Sequence, residues 1–236
     1  MTSQNRIPLG RALIEGGVIV VSILLAFGID AGWDRFQERE AEREALRTLA
    51  AEFSTNLEMT RVGIRGNRRN RSNTVFVLES LRSSRTGAQL QIPDTSIVYM
   101  LTIGSLNPST GALDGVLGSQ GLDLFSDPIL RSRLASWPGH LRDVLEDQAG
   151  GQAFALSNLI GVLGRHGDLS SAMEAAGAHL QDRATEEELS NATDFIPSTE
   201  LLSMLGMHIV LLDRSFFALG ALEGATEEIL SLLPPA

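Results

Sequence analysis

Residues 12–29 read ALIEGGVIVVSILLAFGI, and residues 34–47 read DRFQEREAEREALR. The first stretch is apolar over 18 residues apart from Glu15, close to the lower limit for a bilayer span. It is rich in β-branched residues, which lower helix propensity in water. In lipid a single segment can satisfy its backbone only as a helix. Trp33 follows where an interfacial aromatic residue belongs. The second stretch pairs opposite charges three residues apart, Arg35 with Glu38, Arg39 with Glu42, Glu40 with Arg43 and Glu44 with Arg47, as a solvated helix does. No Gly or Pro separates this stretch from the anchor after Gly32. The expectation is one long helix that leaves a membrane, runs exposed, and then packs through a seam starting at Leu46, Leu49, Phe53 and Leu57.

Arg6 and Arg11 ahead of an apolar run would also suit a signal peptide. No A-x-A site follows and helix-forming sequence continues, which favours a retained anchor. The positive-inside balance is nearly even across the span. The short N-terminal tail is assigned to the cytoplasm and the domain to the periplasm, with residence in a bacterial inner membrane. Residues 1–33 are thus read as tail and anchor, with membrane lipid contacting 12–29, and residues 34–236 as an acidic, all-helical extramembrane domain. Glu15 lies one turn from Arg11, at headgroup depth. Ser22 with Ala26, and Gly28 with Gly32, have the spacing that lets transmembrane helices approach closely.

Of the 236 residues, 43% are hydrophobic and 20% charged, ordinary globular values that exclude disorder. The formal net charge of −10 makes nucleic acid a poor partner. The absence of cysteine excludes disulfides, thiolate metal sites and cysteine nucleophiles. All 19 cationic residues are arginine. Arg65, Arg68, Arg69 and Arg71 cluster about 50 Å along a straight helix from Asp30, too far for lipid contact, and are read as a solvated face.

Further helices are expected throughout. Thr74–Leu81 continues the first one. Ser126-Asp127-Pro128 starts another, and Trp137-Pro138 should kink or split it. A helix from about Gly139 ends in Gly164-Arg165-His166-Gly167. Asp168 caps a short helix to Leu180, Thr185 caps the run starting at Glu186, and Pro197-Ser198 opens the last long helix. The last has a stripe of Leu201, Leu205, Ile209, Leu212, Phe216 and Leu219, and Asp213 and Arg214 speak against its being a second span. Only Ser96–Ile103 hints at a strand. The fold class is all-α: an N-terminal transmembrane helix continuing into a long helix that packs with a helical bundle.

No constellation for catalysis or metal binding stands out. His140, His166, His179 and His208 have no ligand partners at metal spacing. Gly118-Ser119-Gln120-Gly121 lacks the first glycine of a nucleophile elbow, Leu117 standing there. Gly111, Gly115 and Gly118 are read as a close helix-packing face. No catalytic, cofactor or metal residues are assigned, and no cofactor is expected.

Two stretches together carry a resemblance. Ile14–Phe53, with its apolar run, Ile29-Asp30-Ala31-Gly32-Trp33 and charged helix, resembles the start of an uncharacterised family of bacterial single-pass, membrane-anchored helical proteins. Gly121-Leu122-Asp123-Leu124-Phe125-Ser126-Asp127-Pro128-Ile129-Leu130-Arg131 resembles a segment found downstream in that family. The chain departs from the pattern by one extra residue before Trp33 and by Asp30 in place of Asn. The resemblance implies a single-pass helical protein and no activity. It makes Glu15, Asp30, Trp33, Leu122, Asp123 and Leu130 candidate partner contacts, beside Ser22, Ala26, Gly28 and Gly32. The expected role is a non-catalytic accessory subunit docked on other transmembrane proteins, with photosynthetic, respiratory or transport complexes as candidate hosts. The alternative is a membrane-tethered sensor or small-ligand-binding module.

Overall fold

The computed structural model describes residues 9–84, 88–102, 104–180 and 191–234. The expected capping at Thr185 and the Glu186–Glu188 run lie outside them. The chain is all-α apart from one small ribbon. Helix α1 (Leu9–Ser83) is a single helix of 75 residues, about 110 Å long at 1.5 Å per residue. Anchor stretch, charged stretch and packing seam are therefore continuous, as the uninterrupted sequence implied. The pairs Glu40–Arg43 (3.3 Å) and Glu44–Arg47 (3.8 Å) form on its solvated part.

After α1 come β1 (Leu90–Pro93), α2 (Asp94–Leu101) and α3 (Gly111–Gly115). A π turn at Val116–Gln120 and a 3-10 turn at Leu122–Leu124 lead to α4 (Pro128–Phe154). A second π turn (Ala155–Leu159) joins α4 to α5 (Ile160–His166) without a break. Then follow α6 (Ser170–Leu180), β2 (Ala192–Phe195) and α7 (Thr199–Leu232). The strands pair antiparallel, Leu90 opposite Phe195 and Pro93 opposite Ala192.

The start signals behave as expected. Asp127 Oδ1 accepts the Ile129 N–H at 2.7 Å with Pro128 at the first helical position. Asp168 Oδ1 accepts the Ser170 N–H, and Ser198 Oγ the Leu201 N–H. Three expectations are corrected. Of the two outcomes expected at Pro138, a kink or a split, the split does not occur, because Leu130, Leu134, Trp137 and Val144 bury one stripe on both sides of it. That packing outweighs the roughly 3 kcal/mol a helix proline costs. Ser96–Leu101 is helix, not strand, since Ser96, Ile97, Val98 and Met100 are all buried by neighbouring elements. Gly115 and Gly118 meet no neighbouring element within 4 Å of a Cβ position, and Gly111 alone faces α1, 3.9 Å from Glu52 Oε2.

Three long rods make the body: α1, α4 continued by α5, and α7. Two apolar cores lie along them. One joins Leu49 and Phe53 to Phe125, Leu134, Trp137, Leu222 and Ile229. The other joins Val77 and Leu81 to Ile97, Leu163, Phe195, Leu201 and Leu205. Since α7 meets the second core with its N-terminal end and the first with its C-terminal end, it runs antiparallel to α1 and α4. Trp137 packs edge-on against Phe53 at 5.1 Å and donates from Nε1 to Thr226 Oγ1 at 2.9 Å. The stripe of α7 does face the core, with His208 and Ser215 buried inside it.

Among the described residues, α7 is the one helix long and apolar enough by length and composition to cross a membrane. Its apolar stripe is consumed by the two cores. The described side chains of the N-terminal segment are arranged differently: every one from Val20 to Ala41 is exposed.

Candidate functional site

The exposed part of α1 carries Val20, Leu24, Phe27, Ile29, Trp33 and Phe36, from 56% to 73% exposed. Single exposed apolar residues need no explanation, but a contiguous run on an isolated helix marks contact with lipid or protein. Trp33 and Phe36 lie with ring centroids 5.9 Å apart just past the apolar run. The helix is regular here, so side-chain azimuths follow from about 3.6 residues per turn. Ser22, Ala26 and Trp33 share one face. Gly28 and Gly32 share another, roughly 120° from Ser22. The small residues therefore form two short notches, not one stripe. Among the described residues, no other part of the chain comes within 4 Å of a Cβ placed on Gly28 or Gly32. Asp30 is exposed on the side of the helix opposite the two glycines. The side chain of Glu15 lies outside the described residues.

The second group of candidates sits where the loop after α3 meets α1. Glu42 Oε1 accepts hydrogen bonds from the Ser126 N–H (2.7 Å) and Oγ–H (2.9 Å). Glu52 accepts from the N–H groups of Ala112 (2.8 Å) and Leu113 (3.1 Å), closing the N-terminus of α3. Leu122 is half-buried against the first core, whereas Asp123 is fully exposed and lies 3.7 Å from Arg131. Leu130 is 2% exposed. As a candidate partner contact it is corrected to a packing residue, because it is turned inward beside Leu134 and Trp137.

The arginine cluster is exposed but engaged. Arg68 lies over the Phe216 ring (5.2 Å), Arg69 over Tyr99 (4.2 Å), and Arg71 pairs with Asp213. Arg61 reaches Glu223 (3.1 Å) and Glu227 (2.8 Å). These contacts tie α1 to α7 and α2 from the outside.

A polar band that sequence reasoning missed runs along α1 from within the first core toward the second. On α1 it comprises Asn56, Thr60, Asn67, Asn70 and Thr74, four of them buried and Asn67 half-buried. Their spacings of four, seven, three and four residues are a helical period, and that was the available signal. Asn56 exchanges two hydrogen bonds with the backbone of Ser109, Nδ2 to the carbonyl at 2.7 Å and Oδ1 from the N–H at 3.0 Å. Asn70 Nδ2 donates to the Thr102 carbonyl (3.2 Å), and the Leu106 N–H donates to Gln148 Oε1 (3.0 Å). The chain between α2 and α3 is thus strapped to the bundle by side chains. From α7, His208 is fully buried, its Nε2 is 3.1 Å from the Met100 carbonyl, and its ring stacks on Phe154. Burial holds the imidazole below its ordinary value, against the opposing effect of the Met100 carbonyl.

His166 is the other histidine with defined partners. Its Nε2 lies 2.9 Å from Ser198 Oγ and 3.6 Å from Glu200 Oε2. In a nucleophilic triad the acid sits on the ring nitrogen opposite the one facing serine. Here both share Nε2, and Ser198 Oγ is occupied in capping α7. Arg165 holds the Glu200 carboxylate below the usual range. The arrangement is that of a helix cap tied to the end of α5. His140 shares a shallow surface pocket with Asp143, Glu146 and Asp147. The His179 side chain lies outside the described residues. Among the described residues no three His, Asp or Glu side chains are grouped to hold a metal ion.

No family model matches the chain, and no curated protein or solved structure matches it either.

Proposed function

We propose that the protein is a single-pass, membrane-anchored accessory subunit of a larger membrane complex, with residues 12–29 in lipid of a bacterial inner membrane and residues 34–236 as a periplasmic domain. The observation that carries the reading is the exposed apolar run Val20–Phe36 on a helix continuous with the bundle. Lipid covers such a run at no cost, whereas water does not. The aromatic pair Trp33 and Phe36 sits at the water interface. The exposed turn from Gln37 to Ala41 then separates the bundle from the headgroups, a geometry suited to bracing a neighbouring extramembrane subunit. Gly28 with Gly32, and Ser22 with Ala26, offer two faces for neighbouring membrane helices.

The test is purification from source membranes in mild detergent by a C-terminal tag. The expected result is a stoichiometric membrane partner that survives washing. Recovery of the protein alone, as monomer or homodimer, defeats the accessory-subunit reading. Protease accessibility of the domain in intact spheroplasts decides the side of the membrane.

A second reading, a tethered ligand-binding module, is favoured by one feature. A groove of about 720 Å³ along α1 is lined by Met59, Val62, Gly63, Gly66 and Leu106, with Glu58 and Arg69 also on its lining. Its volume suits a small amphipathic molecule. Native mass spectrometry of the detergent-released protein would reveal such a ligand as a discrete mass increment.

A further inference from the structure

The polar band encloses a cavity of about 30 Å³ between α1, α4 and α7, lined among others by Asn67, Asn70, Thr102, Asp147, His208 and Ser215. Two of the lining side chains have an atom that is buried and has no partner: Asn67 Oδ1 and His208 Nδ1. The identity of each atom follows from its neighbour. A carbonyl can only accept, so the Met100 carbonyl requires a proton on His208 Nε2, and in the neutral ring Nδ1 is left as a bare lone pair. The Leu212 carbonyl, 3.2 Å from Asn67 Nδ2, orients that amide in the same way and leaves Oδ1 as an acceptor. No described donor is within hydrogen-bond distance of either atom. Asn70 Nδ2 goes to Thr102, Thr60 Oγ to Asn56, and Thr74 Oγ to the carbonyl of Asn70.

A buried acceptor without a donor costs about 1–3 kcal/mol. Two such acceptors lining one cavity form a site with a definite chemical demand. Its occupant must donate at least two hydrogen bonds. The volume admits only two or three water-sized groups, at roughly 10–15 Å³ each, so whatever reaches both acceptors is small. The charge inside is balanced: Asp147 is paired with Arg214 at 2.7 Å. The cavity lies next to the open groove along α1, since Gly63, Thr102 and Gly104 line both.

We propose that this cavity is a binding site for a single-heavy-atom hydrogen-bond donor, a water molecule or an ammonium ion, that donates to His208 Nδ1 and Asn67 Oδ1 and so joins α1 to α7. Ammonium and water share the donor chemistry, and they differ in that only ammonium responds to its own concentration.

The test uses the full chain in detergent. A high-resolution structure is expected to show one peak within about 2.7–3.2 Å of both atoms. In parallel, ¹⁵N spectra of labelled histidine are recorded while ammonium chloride is titrated against sodium chloride. A hydrogen-bonded Nδ1 signal that moves with ammonium and not with sodium assigns the site to ammonium. The same signal unmoved by either salt assigns it to water. An empty cavity with a free-acceptor Nδ1 signal, or a proton carried on Nδ1, overturns the proposal. The wild-type protein alone decides this, so no variant has to fold.

Discussion

His208 is one histidine among four, and its setting is decided by three contacts: burial among the helices, the Met100 carbonyl, and the Phe154 ring. Its lowered pKa has a consequence for stability, and the sign follows from proton linkage. Between its folded value and the ordinary value near 6.5, the unfolded chain binds a proton that the folded chain does not. The stabilisation from a neutral His208 is therefore complete above about pH 6.5 and declines as pH falls below it. We expect the stability difference between wild type and His208→Phe to shrink as pH falls from about 7.5 to 5, measured by denaturant unfolding in detergent. A difference that grows on acidification would show a charged imidazole in the fold. Phenylalanine keeps the stacking partner of Phe154, so the comparison isolates the titrating group.

At the scale of elements, short helices depend on borrowed partners. Helix α3 has only five residues, too few to persist alone, and Glu52 of α1 supplies acceptors for its first N–H groups. Glu52→Ala leaves Ala112 and Leu113 N–H groups without that carboxylate. The expected cost is about 1–3 kcal/mol, read as a lower unfolding midpoint together with faster amide exchange in 104–127. The junction after α5 depends on close approach. A Cβ on Gly167 would lie 2.8 Å from the Asp194 carbonyl and from the Phe195 ring. The backbone there is extended, so space and not φ demands glycine. Gly167→Ala is expected to cost about 1–3 kcal/mol by overpacking and to separate β2 from α5. A variant as stable as wild type would show that this contact yields freely.

At the scale of the molecule, α1 has two environments along one rod. Its described side chains from Val20 to Ala41 are exposed, and the core begins at Ala45, Leu46 and Leu49. Removal of residues 1–36 should therefore leave both cores intact. The expected product partitions into the aqueous fraction without detergent and unfolds within a few degrees of the full chain by circular dichroism. Aggregation of the truncated chain with loss of the cooperative transition would show that the N-terminal segment packs on the bundle. The arginines of α1 act at the same scale. Arg61 and Arg71 bind acidic side chains of α7 across the long rod interface, where each exposed pair contributes modestly.

The sequence by itself determined what near neighbours decide. Helix starts at Asp127-Pro128, Asp168 and Ser198 were legible, because a cap and its N–H groups lie within three residues. The start of α1 was legible because no Gly or Pro stands between Gly32 and Gly63, and the stripe of α7 because its period is local. Tertiary structure alone decided the rest. Leu90–Pro93 becomes a strand through Ala192–Phe195, about a hundred residues away, and no local pattern announces that pairing. Pro138 stays inside α4 because Trp137 and Leu134 are held by Phe53 and the first core, a cost repaid by contacts distant in sequence. The polar band reads as ordinary surface in one dimension. Only when α1, α4 and α7 close around Asn67 and His208 do their carbonyl partners fix which atoms are acceptors, and leave between them a space that asks for a donor.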